Sequence, residues 1–264
     1  SRMADDGASY ADALAEAQSL GYAERDPTAD VEGFDAGAKA AIIATVAFGA
    51  RVVAGDVYHE GISGITVADI EFAADLQHCI KLLAVVEQTR ASDGGLQIGV
   101  RVHPTLVPLD HPLASVRGSF NAVFVEGGAS GDLMFYGRGA GGRPTASAVL
   151  GDLIDAAGNL RRGHGAPIGA LERARIAPID DVTSAFYLNV EVDDRPGVLA
   201  QVATVFGENG VSIRSMEQEG LGGEARLVFI THAARERDLR STLQGLRSLD
   251  AVRAVGSVLR VIGD

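Results

Sequence analysis

The chain has 264 residues, of which 47% are hydrophobic, so it holds enough apolar material for one or two folded domains and is not a disordered protein. Its 35 acidic and 23 basic residues give a formal net charge of −12, which repels phosphate backbones and acidic membranes and disfavours nucleic acid and membrane partners. The single cysteine, Cys79, forms no internal disulfide, and six scattered histidines supply no metal-ligand set. The sequence therefore predicts a cytoplasmic protein without a metal site.

The first helix is predicted from Tyr10 to Leu20, where apolar residues recur at helical spacing. Ser9 occupies the N-cap position, and Gly21 is the predicted stop. The residues before this helix, SRMADDGAS, contain no secretory apolar region and do not open with Met. We therefore expect the chain to be part of a longer protein.

The segment from Ala17 to Lys39 carries five carboxylates and one lysine among turn-forming residues, which is too much charge for a core. Asp35 is predicted to open a second helix that runs to about Ala50, so Asp35 and Lys39 occupy positions i and i+4 on one face. A lysine among carboxylates can hold a proton for a substrate oxygen, while spare carboxylates bind an ammonium. The alternative is an exposed helix pair beside a solvated acidic loop.

The remainder of this second helix is apolar around most of its circumference and is predicted to be buried. A short helix capped by Thr66 follows, and strands are then predicted at 80–89, 96–107, 122–126 and 133–137, with a glycine-rich hairpin loop between the last two. Successive strands without intervening helices indicate an antiparallel or mixed sheet. One apolar face of such a sheet suits a dimer interface, although the first two helices are an alternative cover.

The glycine motif GRGAGG at 137–142 lies between the last of these strands and a helix with Pro144 in its first turn. It satisfies GxGxxG, but no second parallel strand with an acidic end follows, so it is a weak dinucleotide fingerprint. The helix N-terminus suits a phosphate or a nicotinamide amide, and a glycine-rich turn required only for tight packing is the alternative.

The last part of the chain has a compact pattern of alternating elements. Strands are predicted at 186–192, 212–218, 226–231 and 257–261, with helices at 198–208 and 236–249. This order, βαββαβ, is that of a ferredoxin-like unit. A linker rich in glycine, proline and arginine precedes it.

Two sets of residues resemble known families. The run Ala17-x3-Gly21-Tyr22-Ala23-x2-Asp26-Pro27-x2-Asp30-Val31-x-Gly33-x-Asp35-x3-Lys39 resembles the signature of homoserine dehydrogenases. The motifs DRPGVL at 194–199 and NGVSI at 209–213 resemble the ACT domain, a small-molecule-sensing module that commonly binds amino acids where two copies pair.

The resemblance implies an α+β fold in three parts. Residues 1–157 would form a substrate-binding and dimerisation domain with a mixed or antiparallel sheet, 158–184 a linker, and 185–264 a ferredoxin-like ACT regulatory domain. The family's N-terminal nucleotide-binding domain has no counterpart in this sequence. We therefore expect no oxidation of homoserine by this chain alone.

The resemblance also implies a function, namely the NAD(P)-dependent interconversion of L-homoserine and L-aspartate 4-semialdehyde in threonine and methionine biosynthesis, by a homodimer or larger oligomer. By this resemblance Lys39 is the proton donor to the aldehyde oxygen. Glu24 and Asp35 bind the amino acid, and Asp30 supports them. Such a donor protonates the alkoxide that develops as hydride arrives.

The remaining implied sites bind a cofactor and an effector. Gly21 and Gly141 would lie against NADP or NAD. Four ACT residues would bind an amino-acid effector such as threonine, and they are Pro196, Gly197, Asn209 and Val211. Two other classes stay open: a non-enzymatic amino-acid sensor on a dimer scaffold, and a purely structural interaction fragment.

Overall fold

The computed structural model describes residues 2–139, 141–165, 171–220 and 222–263 of the chain. These residues form α-helices and β-strands along the whole length, which agrees with the predicted α+β class. The helices are α1 (Arg2–Asp6), α2 (Tyr10–Ser19), α3 (Thr28–Val31), α4 (Phe34–Phe48), α5 (Val67–Asp75), α6 (Gly142–Arg162), α7 (Val198–Glu208) and α8 (Glu236–Arg247).

The strands are β1 (Tyr58–His59), β2 (His78–Arg90), β3 (Leu96–Pro108), β4 (Phe120–Gly127), β5 (Gly131–Arg138), β6 (Thr183–Asp193), β7 (Ile213–Gly220), β8 (Glu224–Thr231), β9 (Ala234–Arg235) and β10 (Val252–Val261). The main sheet is mixed and follows the order β1-β3-β10-β6-β8-β7, with β2 paired to β3 and β9 paired to β6. β4 and β5 form a separate antiparallel hairpin. The strand patterns therefore predicted β2 to β8 and β10, most of which the structure extends by a few residues, whereas the two-residue strands β1 and β9 were not predicted.

One sheet runs through both predicted halves of the chain. β10, the last strand of the ferredoxin-like unit, pairs in parallel with β3, and Arg260 lies opposite Thr105. The βαββαβ order of the C-terminal unit is confirmed. Because two strands distant in sequence share hydrogen bonds here, the two halves are held in a fixed relation at this point.

Helices cover the sheet on both faces. The core of the C-terminal unit lies between the sheet and α7 and α8, with Phe206, Phe229 and Leu246 fully buried. On the opposite face α5 packs Ala73 against Tyr187 in a second cluster that contains residues from both halves. Within the described residues, no helix is both long enough and apolar enough to cross a bilayer.

Helix α4 does not have the burial that its composition predicts. Its buried residues are small, namely Gly37, Ala40, Ala41 and Ala44, and they pack against β3. Ile42 and Val46 are instead 65% and 66% exposed, so the prediction of burial around most of the helix was wrong. The small residues let the helix backbone approach the sheet closely, which leaves the larger side chains on the outer face.

The ends of α4 are set by two glycines rather than by Asp35. Gly33 caps the N-terminus with φ +80°, and Gly49 caps the C-terminus with φ +63°. Helix α4 begins at Phe34, so Asp35 lies in its first turn. This geometry favours glycine at both ends, because a Cβ destabilises left-handed backbone.

The segment before the C-terminal unit is tied to the rest of the protein. α6 continues to Arg162, beyond residue 158 where the predicted linker begins. Later in that segment Arg173 and Ile176 form parallel bridges to Arg51 and Ile98. The described part of this segment therefore contains helix and sheet contacts.

We expect Gly33→Ala to destabilise the protein more than Gly49→Ala. Both substitutions place a Cβ on left-handed backbone, which costs about 1–2 kcal/mol. At Gly33 the new Cβ would also lie 2.7 Å from Cγ1 of Val102, a fully buried residue, whereas at Gly49 no described atom lies within 4 Å. Overpacking should add about 1–3 kcal/mol at Gly33 alone. Urea unfolding of both variants measures the difference, and equal losses would contradict the close packing of α4 on β3.

Candidate functional site

The candidate active site is built around Lys39 and Asp35 in the first turns of α4. The Nζ atom of Lys39 lies 2.6 Å from Oδ2 of Asp35, and their side chains are 57% and 52% exposed. An exposed i, i+4 ion pair adds only about 0.3–0.5 kcal/mol to stability. Both groups are therefore accessible to a ligand and contribute little to holding the fold together.

The acidic loop before α4 is ordered by its own hydrogen bonds. The Glu24 amide donates to Oδ2 of Asp30 over 3.3 Å, and the Gln18 side chain donates to the Glu24 carbonyl over 2.9 Å. Thr28 donates to Asp26, which lowers the pKa of that carboxyl. The structure thus pairs Lys39 with Asp35, and Asp30 with the Glu24 backbone, while the exposed Glu24 side chain stays accessible.

The segment from His59 to Ile62, which begins in the last residue of β1, contacts both the acidic loop and α4. The Ile62 amide donates to the Val31 carbonyl over 2.8 Å, and the Glu60 amide donates to the Val102 carbonyl over 2.8 Å. The imidazole of His59 packs against the Phe34 ring at a tilt of 39°, with ring centroids 4.8 Å apart. Segment 59–62 therefore contacts both the acidic loop and the first turn of α4.

The same segment carries a charged residue that the sequence patterns did not single out. Glu60 accepts two hydrogen bonds from Arg260 of β10, at 2.7 Å and 2.9 Å, and the guanidinium is 6% exposed. Arg260 also donates through Nε to Glu236 of α8. An arginine within the apolar strand sequence SVLRVI was the one available signal for this contact.

The surroundings of Arg260 shift the pKa values of Glu60, Tyr58 and His103. Burial by itself raises the pKa of Glu60, but hydrogen bonds and charge from Arg260 outweigh it and hold the pKa below its ordinary value. The Tyr58 hydroxyl is desolvated and donates to Glu60 over 2.6 Å, which raises its pKa to about 12. Burial, together with Arg260 and Arg101, lowers the pKa of His103 to about 3. Glu60 is therefore charged, whereas Tyr58 and His103 are neutral.

Lysine is scarce in this chain, which distinguishes Lys39 from the other cations. Only two lysines occur among the 23 basic residues, the rest of which are arginines. The other lysine, Lys81, donates to the Val116 carbonyl over 2.6 Å and has a structural role. An arginine stays protonated at all physiological pH values, whereas a lysine amine can release and regain a proton. The amine at position 39 is thus suited to proton transfer.

The two glycines predicted to face a cofactor have open surroundings. Gly21 has φ +73°, and no described atom lies within 4 Å of the position its Cβ would occupy. Gly141 has φ +117° and precedes α6, where only Pro144 approaches that position. The surface at both glycines is free for the close approach of a ligand, and Ala140 lies outside the described residues.

A second candidate site lies in the C-terminal unit at the start of α7. A cavity of about 330 Å³ is lined by Asp193, Asp194, Arg195, Pro196, Gly197, Leu199 and Gln218, among others. Arg253 donates to Asp193 and lowers the pKa of that carboxyl. Charged groups of both signs next to apolar walls fit a small zwitterion.

The four predicted effector residues do not all meet at this cavity. Pro196 and Gly197 line it, at the N-terminus of α7. Asn209 lies at the C-terminal end of the same helix, where its side-chain Nδ2 donates to the Val205 carbonyl over 2.8 Å. Val211 is 2% exposed within the core. The structure therefore separates the predicted residues into two groups at opposite ends of α7.

Comparisons with known proteins agree with this architecture. Residues 1–154 match the homoserine dehydrogenase family model, and residues 186–251 match the ACT domain model. The homoserine dehydrogenase of Corynebacterium glutamicum is 53% identical over 263 residues, which are 99% of this chain and 59% of the relative. That of Mycobacterium tuberculosis is 50% identical, over 100% of this chain and 61% of the relative. The chain therefore spans about 60% of the length of these relatives.

Solved structures lead to the same class. The crystal structure of a homoserine dehydrogenase from Thiobacillus denitrificans superposes with a TM-score of 0.90 at 38% identity, covering 99% of this chain and 60% of that one. The fold and these matches thus define a chain of two parts, a homoserine dehydrogenase family region followed by an ACT domain. The family model covers more than half of the chain, and the chain belongs to the homoserine dehydrogenase family. A non-enzymatic sensor is accordingly not favoured.

Proposed function

We propose that this chain forms the substrate-binding and regulatory part of a cytoplasmic enzyme that interconverts L-homoserine and L-aspartate 4-semialdehyde. The observation that carries the proposal is the Lys39–Asp35 pair, held at 2.6 Å on an accessible helix face beside an acidic loop. Family membership and the names of the relatives support the choice of substrate.

Each residue has a role that follows from its chemistry. The ammonium of Lys39 protonates the substrate oxygen in the reductive direction, and the free amine takes that proton back in the oxidative direction. Asp35 keeps the amine oriented, and with Glu24 it binds the substrate ammonium. Asp30 fixes the backbone of Glu24 through its hydrogen bond. Positive charge at position 39 also stabilises the alkoxide that forms as the carbonyl is reduced.

A nicotinamide cofactor, NAD or NADP, fits the open surface at Gly21 and Gly141 and would supply hydride to the carbonyl carbon or accept it. Neither glycine has a side chain of its own, and among the described residues only the Pro144 ring comes within 4 Å of either Cβ position. None of the described residues of α6 is buried, and Leu160 is 82% exposed. We assign its apolar face to contact with the nucleotide-binding part of the complete enzyme.

Substitution of Lys39 tests the proposed chemistry. In an enzyme in which this chain is joined to the remaining length that its relatives possess, Lys39→Ala should lower kcat/KM for homoserine by about 10²–10⁴-fold, the usual contribution of general acid–base catalysis. Lys39→Arg should be similarly inactive, because the arginine keeps the charge but cannot release its proton. Steady-state oxidation of homoserine measures both.

The matched control is Lys81→Arg, at the only other lysine of the chain, which should keep near-normal turnover. Urea unfolding of the Lys39 variants should change by less than about 0.5 kcal/mol, since an exposed pair contributes little. Near-normal turnover in Lys39→Ala would remove the proposed role. Full activity in Lys39→Arg would show that charge, and not proton transfer, is what the site requires.

We infer that the cavity at the start of α7 binds an amino-acid effector such as threonine. The N-terminus of α7 favours the ligand carboxylate, and Asp193 and Asp194 favour its ammonium. Pro196 and Gly197 shape the wall, and Asn209 completes the site where two copies of the domain pair. Val211, whose side chain is buried in the core, takes no direct part in binding.

Threonine should raise the melting temperature of this chain by about 5 °C at saturation, because binding only to the folded state stabilises it. Gln218→Leu, which removes the amide that lines the cavity, should abolish this shift. Asn209→Ala is the comparison variant. If the cavity alone is the site, threonine should still raise the melting temperature of this variant. If the ligand lies between two copies, the rise should be lost. No shift with threonine at millimolar concentrations would reject threonine as the effector.

We also infer that the chain forms at least a dimer, and that the β4–β5 hairpin is part of the interface. Val123 pairs with Phe135 and Val125 with Leu133, so four apolar side chains share one face of the hairpin. All four are exposed, and Phe135 is 65% exposed. An isolated two-stranded hairpin is marginally stable in water, so this face requires a cover.

Phe135→Asp should shift the chain towards monomer, because a charge at the centre of an apolar contact is costly to bury. The control is Ala122→Asp, which places the same charge on the opposite face of the hairpin and should leave the association unchanged. Sedimentation velocity at matched concentrations measures both. A wild-type chain that sediments as a monomer at high micromolar concentration would dismiss the interface.

A further inference from the structure

We propose that Glu60 is a positioning residue for the homoserine site, and that Arg260 of the ACT domain sets its position. This inference rests on the proposed function, because the site in question is the one that binds homoserine. The structural observation is a bidentate ion pair between the buried side chain of Arg260 and the partly exposed carboxylate of Glu60. It joins the last strand of the ACT domain to the segment that contacts the acidic loop and α4.

The first step of the connection lies at the junction of the two halves. Arg260 lies opposite Thr105 where β10 joins β3. Its two terminal nitrogens donate to the two oxygens of Glu60 over 2.7 Å and 2.9 Å. The Tyr58 hydroxyl donates to the same carboxylate over 2.6 Å, and the guanidinium lies 5.7 Å from the centre of the Tyr58 ring. Because the contact is bidentate, it fixes the orientation of Glu60 as well as its distance.

The second step runs from Glu60 to the acidic loop. The backbone of Glu60 is bonded to β3, and two residues later the Ile62 amide donates to the Val31 carbonyl. Gly61 packs closely against the acidic loop. A Cβ added at Gly61 would lie 2.2 Å from Oε2 of Glu32 and 2.7 Å from the Val31 carbonyl oxygen. A displacement of segment 60–62 therefore displaces the loop that carries Glu24 and Asp30.

The third step reaches the catalytic helix. The His59 ring packs at a tilt against Phe34, and its Nε2 faces Gly37 so closely that a Cβ there would lie 2.1 Å away. Gly37 and Phe34 belong to the turns of α4 that carry Asp35 and Lys39. Residues 59 to 62 thus contact the neighbours of both groups of substrate-site residues, namely Val31 and Glu32 beside Asp30, and Phe34 and Gly37 beside Asp35 and Lys39. Glu60 is the member of this segment that the ACT domain holds.

Stability alone does not explain the pairing of Arg260 with Glu60. Burial of the Arg260 charge carries a desolvation cost that offsets much of the attraction to its partners, and apolar residues of similar volume are often at least as stabilising as buried ion pairs. Arg260 already has a partner within its own domain, because its Nε donates to Glu236. The additional pairing with Glu60 adds a directional link between the domains, which an apolar contact would not provide.

The arrangement offers an internal control, since Arg260 contacts two carboxylates and only one belongs to the homoserine site. Glu60→Gln and Glu236→Gln each remove one negative charge from the same guanidinium while keeping the side-chain shape. In the complete enzyme we expect Glu60→Gln to raise KM for homoserine about tenfold with less than a twofold change in kcat, a coupling of the usual size for such contacts. Glu236→Gln should leave KM within about twofold of wild type.

A second measurement needs no turnover and uses this chain alone. Amide hydrogen exchange of residues 28–39 should accelerate in Glu60→Gln and remain as in the wild type in Glu236→Gln, while urea unfolding reports the stability that each loses. Tyr58→Phe, which removes one hydrogen bond to Glu60, should give a smaller change in the same direction. This milder variant keeps the test decisive if Glu60→Gln unfolds.

The outcomes separate the two proposals. If the wild-type enzyme does not oxidise homoserine, the proposed function fails, and the exchange comparison still decides the coupling. If the wild type is active but Glu60→Gln and Glu236→Gln change KM equally, or neither changes it, Glu60 is not a positioning residue. Equal acceleration of exchange in both variants would show that the contact between Glu60 and Arg260 contributes only to stability.

Discussion

The position of the candidate site depends on one buried guanidinium. Arg260 lies between Glu60 and Glu236 at the point where β10 joins β3, and it is 6% exposed. An arginine charge at this depth requires paired carboxylates, since an uncompensated buried charge is strongly destabilising. The two carboxylates come from opposite sides of the junction, so satisfying the charge and aligning the two halves are the same requirement.

The second constraint is the close packing of α4 against β3. Gly33 contacts Val102, and small residues along the helix bring its backbone near the sheet. In a closely packed core, a shift of one element is transmitted to its neighbours rather than absorbed. Lys39 and Asp35 lie within the first two turns after Gly33, so their position relative to segment 59–62 is set by backbone packing, although their own side chains are exposed.

The sequence predicted local structure well because local signals were strong. The cap at Ser9, the capping box at Thr66 and the span of α7 all follow from residues within one or two helical turns. The burial of α4 was predicted wrongly because hydrophobicity alone does not distinguish the face that packs from the face that is left open. In this helix alanine and glycine pack on the sheet, and the larger isoleucine and valine lie outside.

The candidate site was only partly accessible to sequence reasoning. The spacing of Asp35 and Lys39 determines their pairing, since i and i+4 residues meet on any helix. The contact between Glu60 and Arg260 joins residues 200 positions apart, and no local pattern specifies it. The sequence also did not predict that Pro196 and Asn209 lie apart. A motif match identifies which residues recur in a family, but it does not show whether their side chains line one cavity.

The exposure of Lys39 bears on how the site must work. In open water an ion pair 4 Å apart is worth about 1 kcal/mol, too little to stabilise a developing alkoxide by the margin that catalysis requires. The same charges act far more strongly when water is excluded. The chemistry assigned to Lys39 therefore requires that the face of α4 be covered while substrate is bound, and the exposed Ile42 and Val46 on that helix are the kind of surface that such a cover would bury.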